Sequence, residues 1–285
     1  MKVAVTGASG FIGRHVLGQL QRQGVETVAV CRSGAAMAGL GAGTCVQLDI
    51  HNAGQEAYDL LGQPDALIHL AWGGLPNYTS LHHFEEELPG HYRFLRDLVE
   101  AGLPTLTVAG TCFEYGMQSG CLSETAATLP ANPYGYAKDA LRRQLTFLQE
   151  KWPFRLTWGR LFYLYGSGQS GNSLLPQLEQ AVARGERSFN MSGGEQLRDY
   201  LPVEVAAEYL VALTLSGQDV GVVNVCSGAP VSVRKLVEGW LLSRGWTMDL
   251  NLGYYPYPGY EPMAFWGNAE KLFSIIGVEK NAKGS

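Results

Sequence analysis

The sequence has little that would staple a fold together or tie it to another polymer. Its five cysteines (Cys31, Cys45, Cys112, Cys121 and Cys226) are odd in number and form no C-x-x-C pair, against a disulfide framework or a zinc site. No apolar run is long enough to span a bilayer. The opening MKVAVTGASG lacks the charged, apolar and small-residue segments of a secretory leader. Basic residues are outnumbered, 21 Lys and Arg against 26 Asp and Glu, and the net charge of −5 disfavours nucleic acid and acidic membranes as partners. No repeat of solenoid-like period is present. A reduced cytoplasm is the expected setting, and the polar tail at 281–285 reads as a flexible end without a role.

What is present is an ordinary globular composition, 46% apolar and 16% charged, in 285 residues that suffice for one large domain or two interleaved ones. KVAVTG, VETVAVC, TCVQLDI, DALIHLAW and TLTVAGT read as five successive strands, with FRLTWGRLFYLYG and GVVNVCSG as later ones. Helical spacing in FIGRHVLGQLQRQG and FEEELPGHYRFLRDLVEAG separates strands, and a Gly/Ala-rich stretch after Cys31 reads as loop or helix. Strands alternating with helices predict an α/β fold, a Rossmann-like doubly wound parallel sheet. After Gly166 the pattern loosens into segments rich in Gly, Pro, Ser and Tyr, the composition of binding loops. Residues 1–166, with a returning segment near 197–226, are therefore expected to form the dinucleotide-binding domain. Residues 167–196 and 227–280 form a smaller, interleaved C-terminal substrate lobe.

GASGFIG places Gly7, Gly10 and Gly13 between the first strand and an amphipathic helix. Glycines there let the backbone turn tightly and approach a diphosphate, which the helix N-terminus then attracts. The second strand ends in AVCRSG, with Arg32 where an acid would read the 2′-hydroxyl of NAD. A guanidinium matches the 2′-phosphate of NADP, so NADP(H) is the expected cofactor and NAD(H) the alternative. A solvated surface arginine is the competing explanation.

In NPYGYAK, Asn132 is a good N-cap and Pro133 suits the first helical position. Tyr134 and Lys138 stand four residues apart and share a helix face, whereas Tyr136 points elsewhere and reads as a packing or pocket-wall residue. A lysine beside a phenol, with the helix N-terminus nearby, is expected to favour phenolate and prepare Tyr134 for proton exchange near neutral pH.

With TGASGFIG, LIHLAW, GTCFEYG, NPYGYAK, GRLFYLYG and RDYLPVEVAAEYLVAL in this order, the chain resembles the extended short-chain dehydrogenases/reductases over nearly its whole length. This is the family of NAD(P)-dependent sugar epimerases and dehydratases. The resemblance implies dinucleotide contacts at Gly7, Gly10, Phe11, Ile12, Gly13, Arg32, Asp49, Ile50, Leu70, Ala71 and Phe162, with Asp49 at the adenine. It implies Tyr134 and Lys138 as catalytic, Lys138 also holding the nicotinamide ribose, and Thr111 as the third member, its hydroxyl on the reacting oxygen. For a nucleotide-diphosphate sugar it implies Trp72, Thr111, Cys112, Tyr134, Asn172 and Arg198, the last on the diphosphate unless it pairs with Asp199 or a neighbour. Tyr78 is expected beside Trp72, on a loop facing the sugar. A homodimer through helices near 88–102 and 134–151 is also implied.

Departures narrow the chemistry. The Asp-Glu pair that follows the catalytic Thr in 4,6-dehydratases is Cys112-Phe113 here, which disfavours removal of water. Cys112 itself reads as a packed thiol. Tyr163 replaces a substrate-contacting Asn, and Glu204 replaces an Asp. The expected activity is NADPH-dependent reduction of a nucleotide-linked 4-keto-6-deoxyhexose for surface polysaccharide such as O-antigen, with dTDP-4-dehydro-6-deoxyglucose to dTDP-fucose as the leading case. A 4-epimerase is the alternative, and a non-catalytic NADP sensor is disfavoured because the Thr/Tyr/Lys set is complete. No metal is expected: His82, His83 and Glu85–Glu87 read as a solvated face without a distant ligand. His69 reads as a buried, hydrogen-bonded histidine, and the tyrosines of YYPYPGY as packing of the second lobe.

Overall fold

The computed structural model describes residues 1–33 and 43–277. The tail at 281–285 and most of the Gly/Ala-rich stretch after Cys31 lie outside the described residues. The first half runs β1 (Lys2–Thr6), α1 (Phe11–Arg22), β2 (Glu26–Cys31), β3 (Thr44–Gln47), α2 (Ala57–Leu60) and β4 (Ala66–His69). A π turn at His83–Glu87 leads into α3 (Leu88–Glu100), followed by β5 (Thr105–Thr111), β6 (Gly120–Leu122) and α4 (Pro133–Lys151). Then come β7 (Arg155–Leu161), β8 (Tyr163–Tyr165), α5 (Leu174–Ala183), β9 (Ser188–Asn190), β10 (Leu197–Arg198), β11 (Tyr200–Pro202) and α6 (Val203–Leu215). The chain closes with β12 (Gly221–Val225), β13 (Val231–Ser232), α7 (Val233–Arg244), β14 (Asp249–Asn251), β15 (Phe265–Gly267) and α8 (Glu270–Ile276).

Seven strands form one parallel sheet in the order β12-β7-β5-β4-β1-β2-β3. Strand order reverses between β1 and β4, and the crevice at the carboxyl ends of such a pair is where open α/β sheets bind ligands. Alternation along β1 sends Val3 and Val5 to one face, with Leu17 and Leu20 of α1 and Leu210 and Val211 of α6. Ala4 points to the other face, covered by Phe94 and Leu98 of α3 and Leu141 and Leu145 of α4. Both faces are thus buried, which is why these strands read as nearly continuous apolar runs.

The stretch FRLTWGRLFYLYG divides at Phe162: β7 stays in the main sheet, while β8 leaves it to pair with β11. A separate cluster of Leu175, Leu178, Phe189, Met191, Val237, Trp240 and Leu241 packs α5 against α7. The YYPYPGY tyrosines do not join it. Tyr254, Tyr255, Tyr257 and Tyr260 are exposed, because the prolines and glycines between them keep the segment from folding back onto apolar neighbours.

Candidate active site

The glycine turn fits its chemistry closely. Gly7 has φ +68°, and a Cβ there would come within 2.8 Å of the Ala71 backbone nitrogen after β4. Gly13 allows α1 to lie against the turn, since a Cβ would strike the Gly7 carbonyl. Gly10 caps α1 without a side-chain hydrogen bond, so the first helical N–H groups stay available to an anion. A cavity of about 210 Å³ opens here, lined among others by Gly7, Gly10, Arg32, Ile50, Leu70 and Ala71. Asp49 lies beside it, exposed, its carboxylate accepting hydrogen bonds from His51 N at 3.2 Å and Asn52 Nδ2 at 2.7 Å.

A second cavity, about 330 Å³, is lined by Phe11, Ile12, Leu75, Tyr78, Thr111, Cys112, Phe113, Tyr134, Phe162, Tyr163, Gln169 and Trp240, together with further uncharged residues. Among the described residues, no charged side chain lines it. Tyr134 is 8% exposed and Tyr136 is 55% exposed, as their opposite helix faces demand. Tyr136 is therefore neither core nor part of that cavity's lining; its ring meets Phe84 edge-on. The helix that carries both starts where expected, with the Asn132 side chain accepting from Gly135 N at 2.8 Å.

Lys138 is buried beneath the same face, 6.0 Å from the Tyr134 ring centre. Its ammonium turns to the Ala109 carbonyl at 2.9 Å and the Trp72 ring at 3.9 Å, not to the phenol. The expected phenolate is accordingly absent. Burial raises the Tyr134 phenol well above its ordinary value, with Tyr78, Cys112 and Glu114 adding to the rise and only the Thr111 hydroxyl opposing it. Burial also draws Lys138 down to about 7, against the pull of Glu114 and Glu87. A neutral phenol is the state a proton donor needs.

Trp72 is displaced from its expected place. It does not line the substrate-side cavity but lies between Lys138 and His91, stacked on the latter at 4.5 Å. Tyr78 does line that cavity, and its carbonyl accepts from Tyr134 N at 3.2 Å. Cys112 is buried in the cavity wall, its thiol raised by desolvation, as a packed cysteine should be. Asn172 is exposed and stands near the rim rather than in the lining. Arg198 is buried and pairs with Glu261 at 3.0 Å, while Asp199 accepts from Ser227 and Gly228 instead.

Two features escaped the sequence. Glu114, inside GTCFEYG, is fully buried and accepts from Thr111 N at 2.9 Å, Trp158 Nε1 at 2.8 Å and Arg160 Nε at 2.7 Å. It fixes the turn that presents Thr111; its place three residues after Thr111, the spacing of a capping box, was the available signal. The second is a polar chain beneath the dinucleotide side. Thr6 Oγ1 bonds His69 Nδ1 at 2.8 Å, His69 Nε2 bonds His91 Nδ1 at 2.7 Å, and His91 Nε2 bonds Glu87 Oε2 at 2.9 Å. The solvated face is thus half wrong: Glu85 and Glu86 are exposed, but His83 and Glu87 are buried, because the π turn rotates them inward. Burial pushes the Glu87 carboxyl up, yet hydrogen bonds from His91 and Gly73 N outweigh it and hold it at about 2. Burial lowers His91 to about 4 despite its bond to Glu87, leaving that ring neutral.

Residues 3–226 match the family model described as the NAD dependent epimerase/dehydratase family. The chain belongs to this family. As a member, it is an enzyme that works through a nicotinamide dinucleotide, and the glycine-turn cavity fits such a group. It is 30% identical over 270 residues to a dTDP-6-deoxy-L-talose 4-dehydrogenase (NAD(+)) of Aggregatibacter actinomycetemcomitans, covering 94% of this chain and 99% of that one. It is 25% identical to a UDP-glucose 4-epimerase of Halalkalibacterium halodurans, over 98% of this chain and 90% of that one. Among solved structures, MoeE5 in complex with UDP-glucuronic acid and NAD superposes with a TM-score of 0.82 at 28% identity, covering 97% of this chain and 93% of that chain.

Proposed function

We propose that the protein reduces the C4 ketone of a nucleotide-linked 4-keto-6-deoxyhexose, with NADPH as the preferred reductant. The observation that carries this reading is the uncharged cavity over Tyr134 and Thr111. It offers a methyl-bearing sugar apolar walls at Leu75, Cys112 and Phe113, and offers no counter-charge to a uronic acid. A 4-dehydrogenase, as the Aggregatibacter relative is named, runs the same reaction in the opposite direction.

The bound dinucleotide supplies hydride to C4. Tyr134 donates the proton to the alkoxide that forms, and the Thr111 hydroxyl steadies that oxygen. Lys138 keeps the proton balance of the buried site, and Glu114 holds Thr111 in place. Arg32, on the dinucleotide cavity with no acid beside it in AVCRSG, supports the NADPH preference. Arg198 is assigned to the substrate diphosphate, exchanging its Glu261 partner for it. Residues 1–166 with the returning segment 197–226 serve as the dinucleotide half. A cytoplasmic homodimer through α3 and α4 completes the proposal; Phe147, 68% exposed on α4, supplies apolar surface for it.

The test is NADPH consumption with dTDP-, CDP-, GDP- and UDP-linked 4-keto-6-deoxy sugars, beginning with dTDP-4-dehydro-6-deoxyglucose. Stoichiometric oxidation to a 6-deoxyhexose is expected. A second reading, 4-epimerisation, is favoured by the similarity to UDP-glucose 4-epimerase, and isomerisation without net NADPH loss would establish it instead.

A further inference from the structure

Three side chains converge under the dinucleotide cavity from separate parts of the chain. Glu87 ends the π turn and His91 follows one turn later on α3, with His91 Nε2 at 2.9 Å from Glu87 Oε2. His51 arrives from the turn after β3 and brings Nε2 to 3.3 Å from Glu87 Oε1. The candidate ligand atoms of all three lie within 4.8 Å of one another. A histidine and a carboxylate one helical turn apart, joined by a histidine from a distant loop, make the His₂-carboxylate set that holds zinc-class ions with a position left open.

We propose that His51, Glu87 and His91 form a binding site for a divalent transition-metal ion of the zinc class, its open position facing the dinucleotide cavity. Tetrahedral bonds of about 2.0–2.1 Å place ligand atoms roughly 3.3 Å apart. His51 Nε2 meets that edge against Glu87 Oε1 at 3.3 Å, whereas His91 Nε2 stands 2.9 Å from the other oxygen, Oε2, so the spans from His91 to Oε1 and from His51 to His91 both have to adjust. The seat for His51 is built into the helix: a Cβ at Gly90 would strike the His51 ring, so glycine alone lets it lie against α3 between the two other ligands. The outer shell is in place as well. His91 Nδ1 meets His69 Nε2, His69 Nδ1 meets Thr6 Oγ1, and Trp72 stacks on the His91 ring. A ring held at its far nitrogen by such a chain is the usual support of a metal-ligating histidine.

The proton count closes without loss from the two buried rings. With the site empty, His91 offers its Nε2 proton to Glu87, and His69 offers its own to His91. With an ion bound, both rings carry the proton on Nδ1 instead, His91 donating to His69 and His69 to the Thr6 oxygen. Each ring holds one proton in either arrangement, so filling the site shifts tautomers only. The carboxylate then gives one oxygen to the ion while the other keeps its bond from Gly73 N, at 2.6 Å here. His82, whose Nε2 lies 3.0 Å from Glu87 Oε1, lines the approach.

The experiment uses the full chain after chelator treatment. Zn²⁺ is titrated calorimetrically, and Co²⁺ is titrated in parallel while its visible absorption is followed. One equivalent is expected, with Co²⁺ bands of a four- or five-coordinate site that Zn²⁺ abolishes. His51→Ala and Glu87→Gln should each weaken binding by about 100-fold, and His15→Ala, whose ring meets Ser167 and Glu204 instead, should leave it unchanged. His51 is partly exposed and outside the buried chain, so His51→Ala keeps the test decisive even if Glu87→Gln unfolds. No stoichiometric binding, or affinity unchanged in His51→Ala, would overturn the site and leave a hydrogen-bond network only. Neither result depends on turnover, so the reductase reading stands or falls separately.

Discussion

The substrate-side cavity, bounded by Leu75, Phe113 and Trp240, carries no charged side chain among the described residues, whereas the dinucleotide cavity beyond Trp72 is walled by Arg32, His51, Glu87 and His91. The first is assembled from short runs far apart in the chain, at 11–12, 110–113, 161–165 and 173–175, with single residues between and beyond them as far as Trp240; the second is built mostly from the ends of β1, β2 and β4 and the loops after them. Charge is thus concentrated on the dinucleotide side and withheld where the proposed interconversion of ketone and alcohol is placed. Tyr134 and Thr111 bring exchangeable protons beside one another on the uncharged side, which makes that pair the place to break the distinction first.

Tyr134→Phe removes the proposed donor while filling nearly the same volume. Turnover should fall by about 10²–10⁴-fold with dinucleotide affinity retained, measured by stopped-flow reduction and fluorescence titration. Tyr136→Phe, on the exposed face, should change neither. Equal losses in both variants would dissolve the contrast between the two faces of α4.

Glu114 tests how far the uncharged cavity leans on a charge hidden behind it. Glu114→Ala strands the Arg160 guanidinium in a buried site and frees the Thr111 turn. A stability loss of about 3–5 kcal/mol in urea unfolding is expected. A loss under 1 kcal/mol would mean that water reaches Arg160 and that Thr111 is held by other contacts.

How much of each region could be read in advance follows from the same difference. The glycine turn, the N-cap at Asn132 and the Tyr134–Lys138 face are local: each depends on residues within one turn or junction, and each appears where its spacing placed it. The parallel sheet was legible because apolar runs buried on both faces alternate with helical ones. His69 was legible as a buried, hydrogen-bonded histidine, but the place of Trp72, the role of Glu114 and the continuation from His69 to His91 and Glu87 were not. Their partners are 22 to 66 positions away in the Trp72–Lys138, Glu114–Arg160 and His69–His91 contacts, and no periodic pattern encodes such a meeting. A π turn added to the difficulty, since it rotates His83 and Glu87 off the face that a regular helix would give them.

Lys138 lies on the boundary between the cavities and ties them to pH. Its folded value of about 7 is below the ordinary 10.5, so between those two values the unfolded chain binds a proton that the folded chain does not. Stability attributable to this group therefore rises with pH across that window and is least where the buried ammonium must stay charged, below about 7. Lys138→Met should stabilise the dinucleotide-free protein at pH 6 by a few kcal/mol, and by little at pH 10, in paired thermal and urea unfolding. A variant less stable than the parent at pH 6 would show that the Trp72 ring and the Ala109 carbonyl fully compensate the charge.

The smallest expected effect concerns the outer end of the charged cavity. Arg32 is exposed, and at that place it contributes a fork of donors to the dinucleotide cavity and little to folding. Arg32→Asp removes the partner of a 2′-phosphate and supplies an acceptor for a 2′-hydroxyl, so the ratio of NADPH to NADH efficiency should fall about tenfold or more. Stability should stay within about 0.5 kcal/mol, as for other exposed positions. The substrate-side cavity provides the control: KM for the keto sugar should hold steady, because Arg32 lines the dinucleotide cavity and is not among the residues of the substrate-side lining. A drop in sugar affinity with no change in cofactor preference would mean that the second strand's last turn serves the substrate instead, and that the division of charge between the two cavities has been drawn in the wrong place.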